Sequence, residues 1–285
     1  MTARVLSLHP AHRDDIGDLV TRRPLPGPGL DHLGAFLFLN HHGPQTYRPG
    51  NAGLPFGPHP HRGFETVTFI LEGELAHRDS AGHESVIGAG GVQWMTAGSG
   101  LVHAEVSPER FKRSGGPLEI LQLWVNLPAA HKMTPPRYTG VQAEAIPAIG
   151  CDGAQVHLVA GDWHGRQGPI ESITGVFMTF LTMQPGSQLS FGGIAGRDLF
   201  LNVAHGAVRI DGTDVPKFNL AQLSPAESIA IEAREQSLVL FGHADPIDEP
   251  VVAYGPFVMN TEEEIREAIR DYQAGKFGAE LLATA

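Results

Sequence analysis

Short apolar runs and alternating apolar and polar positions recur along this chain, and they predict strands. Phe36-Leu37-Phe38-Leu39 reads as a buried strand, and Asn40-His41-His42-Gly43-Pro44 after it as a turn. Thr66 to Leu71, ending at Glu72-Gly73, is rich in β-branched residues and reads as a strand. Leu75–Arg78 and Glu84–Ile87 flank Ser80-Ala81-Gly82-His83, the pattern of a hairpin. Val92–Ala97 follows the Gly88–Gly91 turn, and Gly98-Ser99-Gly100 makes a tight corner before Leu101–Glu105. Leu118–Leu127 alternates and closes this first set of strands. Residues 1–35 are polar and rich in Pro and Gly, and read as irregular surface lead-in. The Pro-rich stretch His131–Ala148 reads as a linker.

The second half repeats the style. With Gly73 laid on Gly206, the strand ending at Glu72 falls on Phe200–His205, and Leu75–Asp79 falls on Val208–Gly212. The match predicts two copies of one β-domain, with boundaries at 1–135 and 136–285. Helical spacing is clear only in the tail. Thr261 and Glu264 form a capping box, Ile265, Ala268, Ile269 and Tyr272 form an apolar stripe, and Gly275 is a stop. This helix is expected to pack on a sheet.

Composition agrees with a β-rich chain. Only 18% of the 285 residues are charged, while there are 35 Gly and 22 Pro. The net charge of −11 argues against nucleic acid or an anionic membrane as a direct partner. No apolar stretch is long enough to cross a membrane as a helix. The first residues carry too short an apolar run for a signal peptide. The single cysteine, Cys151, fits a reducing compartment, so a cytoplasmic location is expected. Cys151 has no basic neighbour in sequence and reads as a small buried or surface residue.

The candidate chemistry lies between His59 and Glu105. His59 and His61, two apart, share one face of a strand, and so do His103 and Glu105. Two such pairs on neighbouring strands can aim three imidazoles and one carboxylate at one point. That donor set suits Fe(II), Mn, Ni, Cu(II) or Zn, and six-coordination leaves two positions open. A lone histidine is usually structural, and with 15 histidines close pairs arise by chance. The second pair after a Gly-rich corner is what favours a metal. Glu65, four residues after His61, keeps the same face in a regular strand and competes with Glu105. Spacing alone does not choose between them. His41 and His42 point to opposite faces and read as polar loop or supporting residues. Trp94 and Met95 read as core, and Phe56, Phe64 and Gln122 as pocket lining. There is no phosphate-binding Walker loop or dinucleotide fingerprint, and Gly98-Ser99-Gly100 lacks the spacing of a nucleophile elbow.

His59–Thr68, Gly88–Glu105, Leu121–Pro128, Tyr254–Thr261 and Asp271–Gly278 closely resemble the pirin family of the cupin superfamily. The resemblance runs over nearly the whole chain. It implies an all-β bicupin, two cupin β-sandwich barrels face to face with a short C-terminal helix. It implies one divalent metal, iron first, with Zn, Mn, Ni or Cu as alternatives, held by His59, His61, His103 and Glu105. At the same sequence offset Gly192 and Ile194 stand where His59 and His61 would fall, so the second copy is expected to lack a metal. The implied activity is that of a quercetin 2,3-dioxygenase, which opens a flavonol ring with dioxygen and releases carbon monoxide. Glu105 is then the expected general base as well as a ligand. The competing implication is a metal- or redox-responsive regulator that binds a transcription factor or a metabolic enzyme. A monomer is expected. Two departures stand out. Asn40 replaces the Asp of many relatives, and Glu65 to Gly73 is one residue longer than the common spacing, which predicts a bulge or a shifted turn.

Overall fold

A computed structural model describes residues 1–279 and 281. The chain forms two compact units. One gathers residues 1–13, 22–40 and 144–246. The other gathers residues 14–21, 41–143 and the described residues from Ile247 on. A single cut near residue 135 therefore does not describe them, because the terminal segments change places. The cause is strand pairing. Val5–Pro10 pairs antiparallel with Asn219–Leu223 and covers that edge. Residues 1–35 are thus more than lead-in, and Leu19 and Leu25 are fully buried. The expected linker holds a strand, Arg137–Val141, paired with Val92–Thr96.

In the unit that carries His59, the strands are β1 (Phe56–His61), β2 (Phe64–Glu72), β3 (Glu74–Asp79), β4 (Glu84–Gly88), β5 (Val92–Thr96), β6 (Leu101–Val106), β7 (Gly116–Asn126) and β8 (Arg137–Val141). One sheet includes the run β8-β5-β2-β7, beyond which the strand ending at Tyr47 is added, and the other runs β1-β6-β3-β4; the pairs within these runs are all antiparallel. Side chains bond and stack between the two sheets, as in a β-sandwich. The predicted bulge is present: Glu119 opposes Glu72 while Ile120 opposes Ile70, so Leu71 is the extra residue in β2. One expectation fails. Asn40–Pro44 is no turn, because the strand begun at Phe36 runs on to Tyr47.

The other unit repeats the plan. Its larger sheet runs Val5–Pro10, Asn219–Leu223, Asp198–His205, Ser237–Ala244, Phe177–Met183, Ala154–Ala160 and Ala148–Cys151. The smaller runs Gln188–Gly192, Ser228–Ala233, Ala207–Ile210 and Thr213–Pro216. Gly73 and Gly206, aligned from sequence, both take positive φ (84° and 72°) between consecutive strands. A Cβ on Gly73 would meet the Pro117 carbonyl, and one on Gly206 the Gln236 carbonyl. This interior is apolar, with Phe191, Leu201, Val203, Ile231 and Phe241 buried together and half-buried Cys151 packed against them.

The tail belongs to the first of these sandwiches. β9 (Val252–Tyr254) and β10 (Phe257–Met259) form a hairpin, and α1 (Glu262–Gln273) follows. Thr261 Oγ1 accepts from the Glu264 amide, and the Thr261 amide donates to Glu264 Oε2, so the capping box is closed. Ile265 and Ala268 are buried with Phe257, Met259 and Phe277, whereas Tyr272 is exposed. No helix among the described residues is long and apolar enough to cross a membrane.

Lys132 fastens this tail. Its buried ammonium donates to Gly63 O (2.9 Å), Asn126 Oδ1 (2.8 Å) and Val258 O (3.0 Å). Burial pulls its pKa down to about 8, so it is charged near neutrality, and its three protons have three acceptors. Lys132→Met should cost on the order of 3 kcal/mol, because three buried acceptors lose a charged donor. Urea titration checks this; a loss below about 1 kcal/mol would mean that other donors reach these oxygens.

Candidate metal centre

Register builds the site. β6 lies between β1 and β3. His103 stands opposite His59 on one side and Asp79 on the other. Facing residues of an antiparallel pair share a face, so His59, His61, His103, Glu105, His77 and Asp79 all project from one side of this sheet. The ring centroids of His59 and His103 lie 4.4 Å apart, those of His61 and His103 5.0 Å, and those of His59 and His61 4.9 Å. One ligand nitrogen from each of the three lies within 4.8 Å of the other two.

Hydrogen bonds set which nitrogen faces the cluster. His59 Nδ1 meets the Gly57 carbonyl at 2.7 Å, and His61 Nδ1 meets the Pro256 carbonyl at 3.3 Å. A carbonyl only accepts, so Nδ1 carries the proton in both rings and Nε2 keeps its lone pair. His103 is fully buried, and neither of its ring nitrogens has a hydrogen-bond partner. An imidazole stripped of water with both nitrogens unbonded is costly in an ordinary core. Beside two oriented imidazoles, a cation bound at one of these nitrogens would relieve part of that cost, with borderline N donors suited to Fe, Ni, Cu or Zn. Burial and the neighbouring His59 push the His61 pKa down to about 3. Burial, then His59, His61 and His77, push His103 well below the usual range. Both rings are thus neutral, as ligands must be. His59 is half-buried, so the site opens to solvent on its side.

The two candidate carboxylates part company. Glu105 is buried on the site side, where Oε1 accepts from Thr68 Oγ1 (2.9 Å) and Oε2 from Gln122 Nε2 (2.6 Å). It stands outside the three-histidine group. Glu65 lies on the opposite face of β2 from Thr68, because their spacing is odd. Its Oε1 accepts from Thr96 Oγ1 (2.7 Å), and burial raises its pKa. The expectation of one continuous face from His61 to Glu65 fails at Gly63. There φ is +89°, and the chain passes from one sheet to the other.

Other expected residues fall into place. Phe64 and Trp124 pack against His61, with ring centroids 5.0 and 5.4 Å away. Phe56 lies against His42 instead, at 5.2 Å. His41 bonds Glu119 and His42 bonds Thr21, so neither joins the cluster. Ile194 is buried in apolar packing of the other unit, and Gly192 is exposed. Sequence reasoning missed Thr68, Trp124 and the pair His77–Asp79. His77 Nε2 donates to Asp79 Oδ2 (3.1 Å), and its ring stacks on Tyr138 at 3.9 Å. Period-two alternation from Thr66 would have found Thr68; nothing local marks His77.

Two sandwiches of cupin type, one with a histidine centre and one with an apolar interior, define a two-domain cupin protein. Family models agree in detail. The pirin model matches residues 18–125 and the pirin C-terminal cupin domain residues 178–278. The chain belongs to the pirin family. It is 36% identical to human pirin over 270 residues, covering 92% of this chain and 89% of that one. A quercetin 2,3-dioxygenase from Acinetobacter baumannii is 34% identical in sequence, with a TM-score of 0.92 over 99% of this chain and 100% of that chain. A bacterial pirin from Escherichia coli, solved in complex with nickel(II), shares the fold at 24% identity, with a TM-score of 0.67 over 85% of this chain and 99% of that chain.

Two outcomes follow from the geometry. In chelator competition, Glu65→Gln should bind metal as the wild type does, Glu105→Gln more weakly, and His103→Ala should lose tight binding. Metal loss in Glu65→Gln with retention in His103→Ala would overturn the assignment. Acid stability of the metal-free protein is the second. The folded pKa of His61 lies below the free value of about 6.5, so the unfolded chain binds more protons between the two. Stability should be full above about pH 6.5 and fall towards pH 3, by up to about 1.4 kcal/mol per pH unit for each such histidine. Urea midpoints measured across that range, with His61→Gln showing the shallower slope, check it.

Proposed function

We propose that this chain is a metal-dependent dioxygenase, with iron as its resident metal, that opens the ring of flavonols such as quercetin with dioxygen. The carrying observation is the buried His103, unbonded at both nitrogens and faced by two imidazoles whose Nε2 atoms are left as donors. His59, His61, His103 and Glu105 would hold the ion. The similarity to the Acinetobacter quercetin 2,3-dioxygenase supports the choice of substrate class.

A divalent metal held there would supply Lewis acidity and open positions for a flavonol oxygen and dioxygen. The chain's own residues supply the rest. Glu105 accepts the proton of the flavonol 3-hydroxyl, the ordinary work of a positioned carboxylate. Thr68 and Gln122 hold it between two donors, fixing its direction. Phe64 and Trp124 form an apolar wall beside His61 that favours a flat aromatic ligand and excludes water. The half-buried His59 marks the side of entry.

An oxygen electrode tests this. Iron-loaded protein should consume oxygen when quercetin is added, and His103→Ala should not. Glu105→Gln at saturating metal should lower kcat by about 10²–10⁴-fold. A fully metallated protein that takes up no oxygen with any of several flavonols would overturn the reading. Metal-dependent capture of a protein partner would then favour a regulatory role.

A further inference from the structure

We propose that the tail segment from Pro256 to Phe277 positions the histidine cluster, with Asp271 and Phe277 acting on it through Arg62; this rests on the metal reading above. Arg62 follows His61 directly and is buried. Its Nε donates to the Ser99 carbonyl at 2.8 Å, in the corner that leads into β6 and His103. Its Nη2 donates to Asp271 Oδ2 on α1 at 2.9 Å. Its flat face lies over the Phe277 ring, 4.7 Å from the centroid. A guanidinium is a rigid planar fork, so partners on two edges and one face fix both its place and its tilt.

The backbone repeats the connection. The Pro256 carbonyl takes the His61 Nδ1 proton at 3.3 Å and the Arg62 amide at 3.4 Å. The Val258 amide donates to Arg62 O at 3.1 Å. On the other ligand strand, Ser80 Oγ accepts from the Val102 amide at 3.0 Å and donates to the Phe277 carbonyl at 2.5 Å. The tail therefore grips the neighbours of His61 and of His103 separately. Apolar packing of Phe257, Met259, Ile265 and Ala268 would suffice to dock a helix. A buried guanidinium is a poor choice for adhesion alone, because its desolvation offsets much of what its ion pair contributes. What it adds is direction: it holds β1 at a fixed angle to the β6 corner, while Pro256 fixes the His61 tautomer. Such outer contacts of a metal site orient its ligands.

Nickel(II) is the probe, read by chelator competition and by its ligand-field absorption, on variants shown folded by circular dichroism. Asp271→Ala and Phe277→Leu should each weaken nickel binding about 10–100-fold and shift the absorption bands. Asp271→Asn keeps an acceptor for Arg62 and should recover most of the affinity. Lys276→Ala, which removes only the exposed partner of Asp271 Oδ1, should match the wild type. A purely structural tail would lower the unfolding midpoint of the metal-free variants and leave nickel affinity and spectrum unchanged, which overturns the proposal. If Asp271→Ala does not fold, the milder Phe277→Leu decides. Wild-type protein that takes up no nickel would instead sink the metal reading itself.

Discussion

The site depends on a change of direction at Gly63. After His61 the chain leaves the sheet of β1 and enters the sheet of β2 at Phe64. Gly63 makes this passage at a φ of +89°, and a Cβ there would run into the Val258 carbonyl. Its amide bonds Gly98 O, and its carbonyl takes the Lys132 ammonium. This one residue therefore sets which face each side chain before and after it occupies. It leaves His59 and His61 beside His103, brings Thr68 to Glu105, and turns Glu65 away. Any side chain at 63 would disturb both sheets and the tail together.

A polar interior must be satisfied from within, and most of this one is. Glu105 has two donors, Asp79 accepts from His77, His83 and the Ala81 amide, and His59 and His61 each bond a carbonyl. His103 has no such bond. His103 sits in the middle of β6, paired on one side with β1 and on the other with β3. Strain of that kind survives only where neighbours over-determine it. Tyr47 Oη and Gln93 Oε1 are also buried without a hydrogen-bond partner, but only His103 is an imidazole flanked by two others, and that is what gives it chemical meaning.

Much of this was legible in the sequence. The strands from Thr66 to Leu127, the hairpin at Ser80–His83 and the helix cap at Thr261 followed from local pattern, because each is fixed by neighbours in the chain, whereas the bulge before Gly73 followed from comparison with the family's spacing. The histidine cluster followed from period-two spacing. What failed was non-local. Residues 1–35 read as lead-in because nothing local tells that Val5–Pro10 pairs with Asn219–Leu223. Spacing puts Glu65 on the face of His61 because a glycine with positive φ looks like any other glycine in sequence. The reach of Asp271 to Arg62, 209 positions apart, has no local signature at all.

The two units separate what the fold requires from what the chemistry requires. Gly73 and Gly206 hold the same corner under the same steric constraint, each facing a carbonyl that admits no side chain. Around that shared frame the interiors diverge. One is packed with Phe191, Leu201, Phe241 and their neighbours, and the other holds imidazoles, carboxylates and amides. Backbone pairing is indifferent to the choice, since every strand presents one face inward whatever it carries. The polar interior gives up apolar burial that the filled one keeps. It sits in the unit that also receives the hairpin, α1 and the Lys132 and Arg62 contacts. The tail thus adds apolar and charged contacts to the sandwich that carries the histidine cluster.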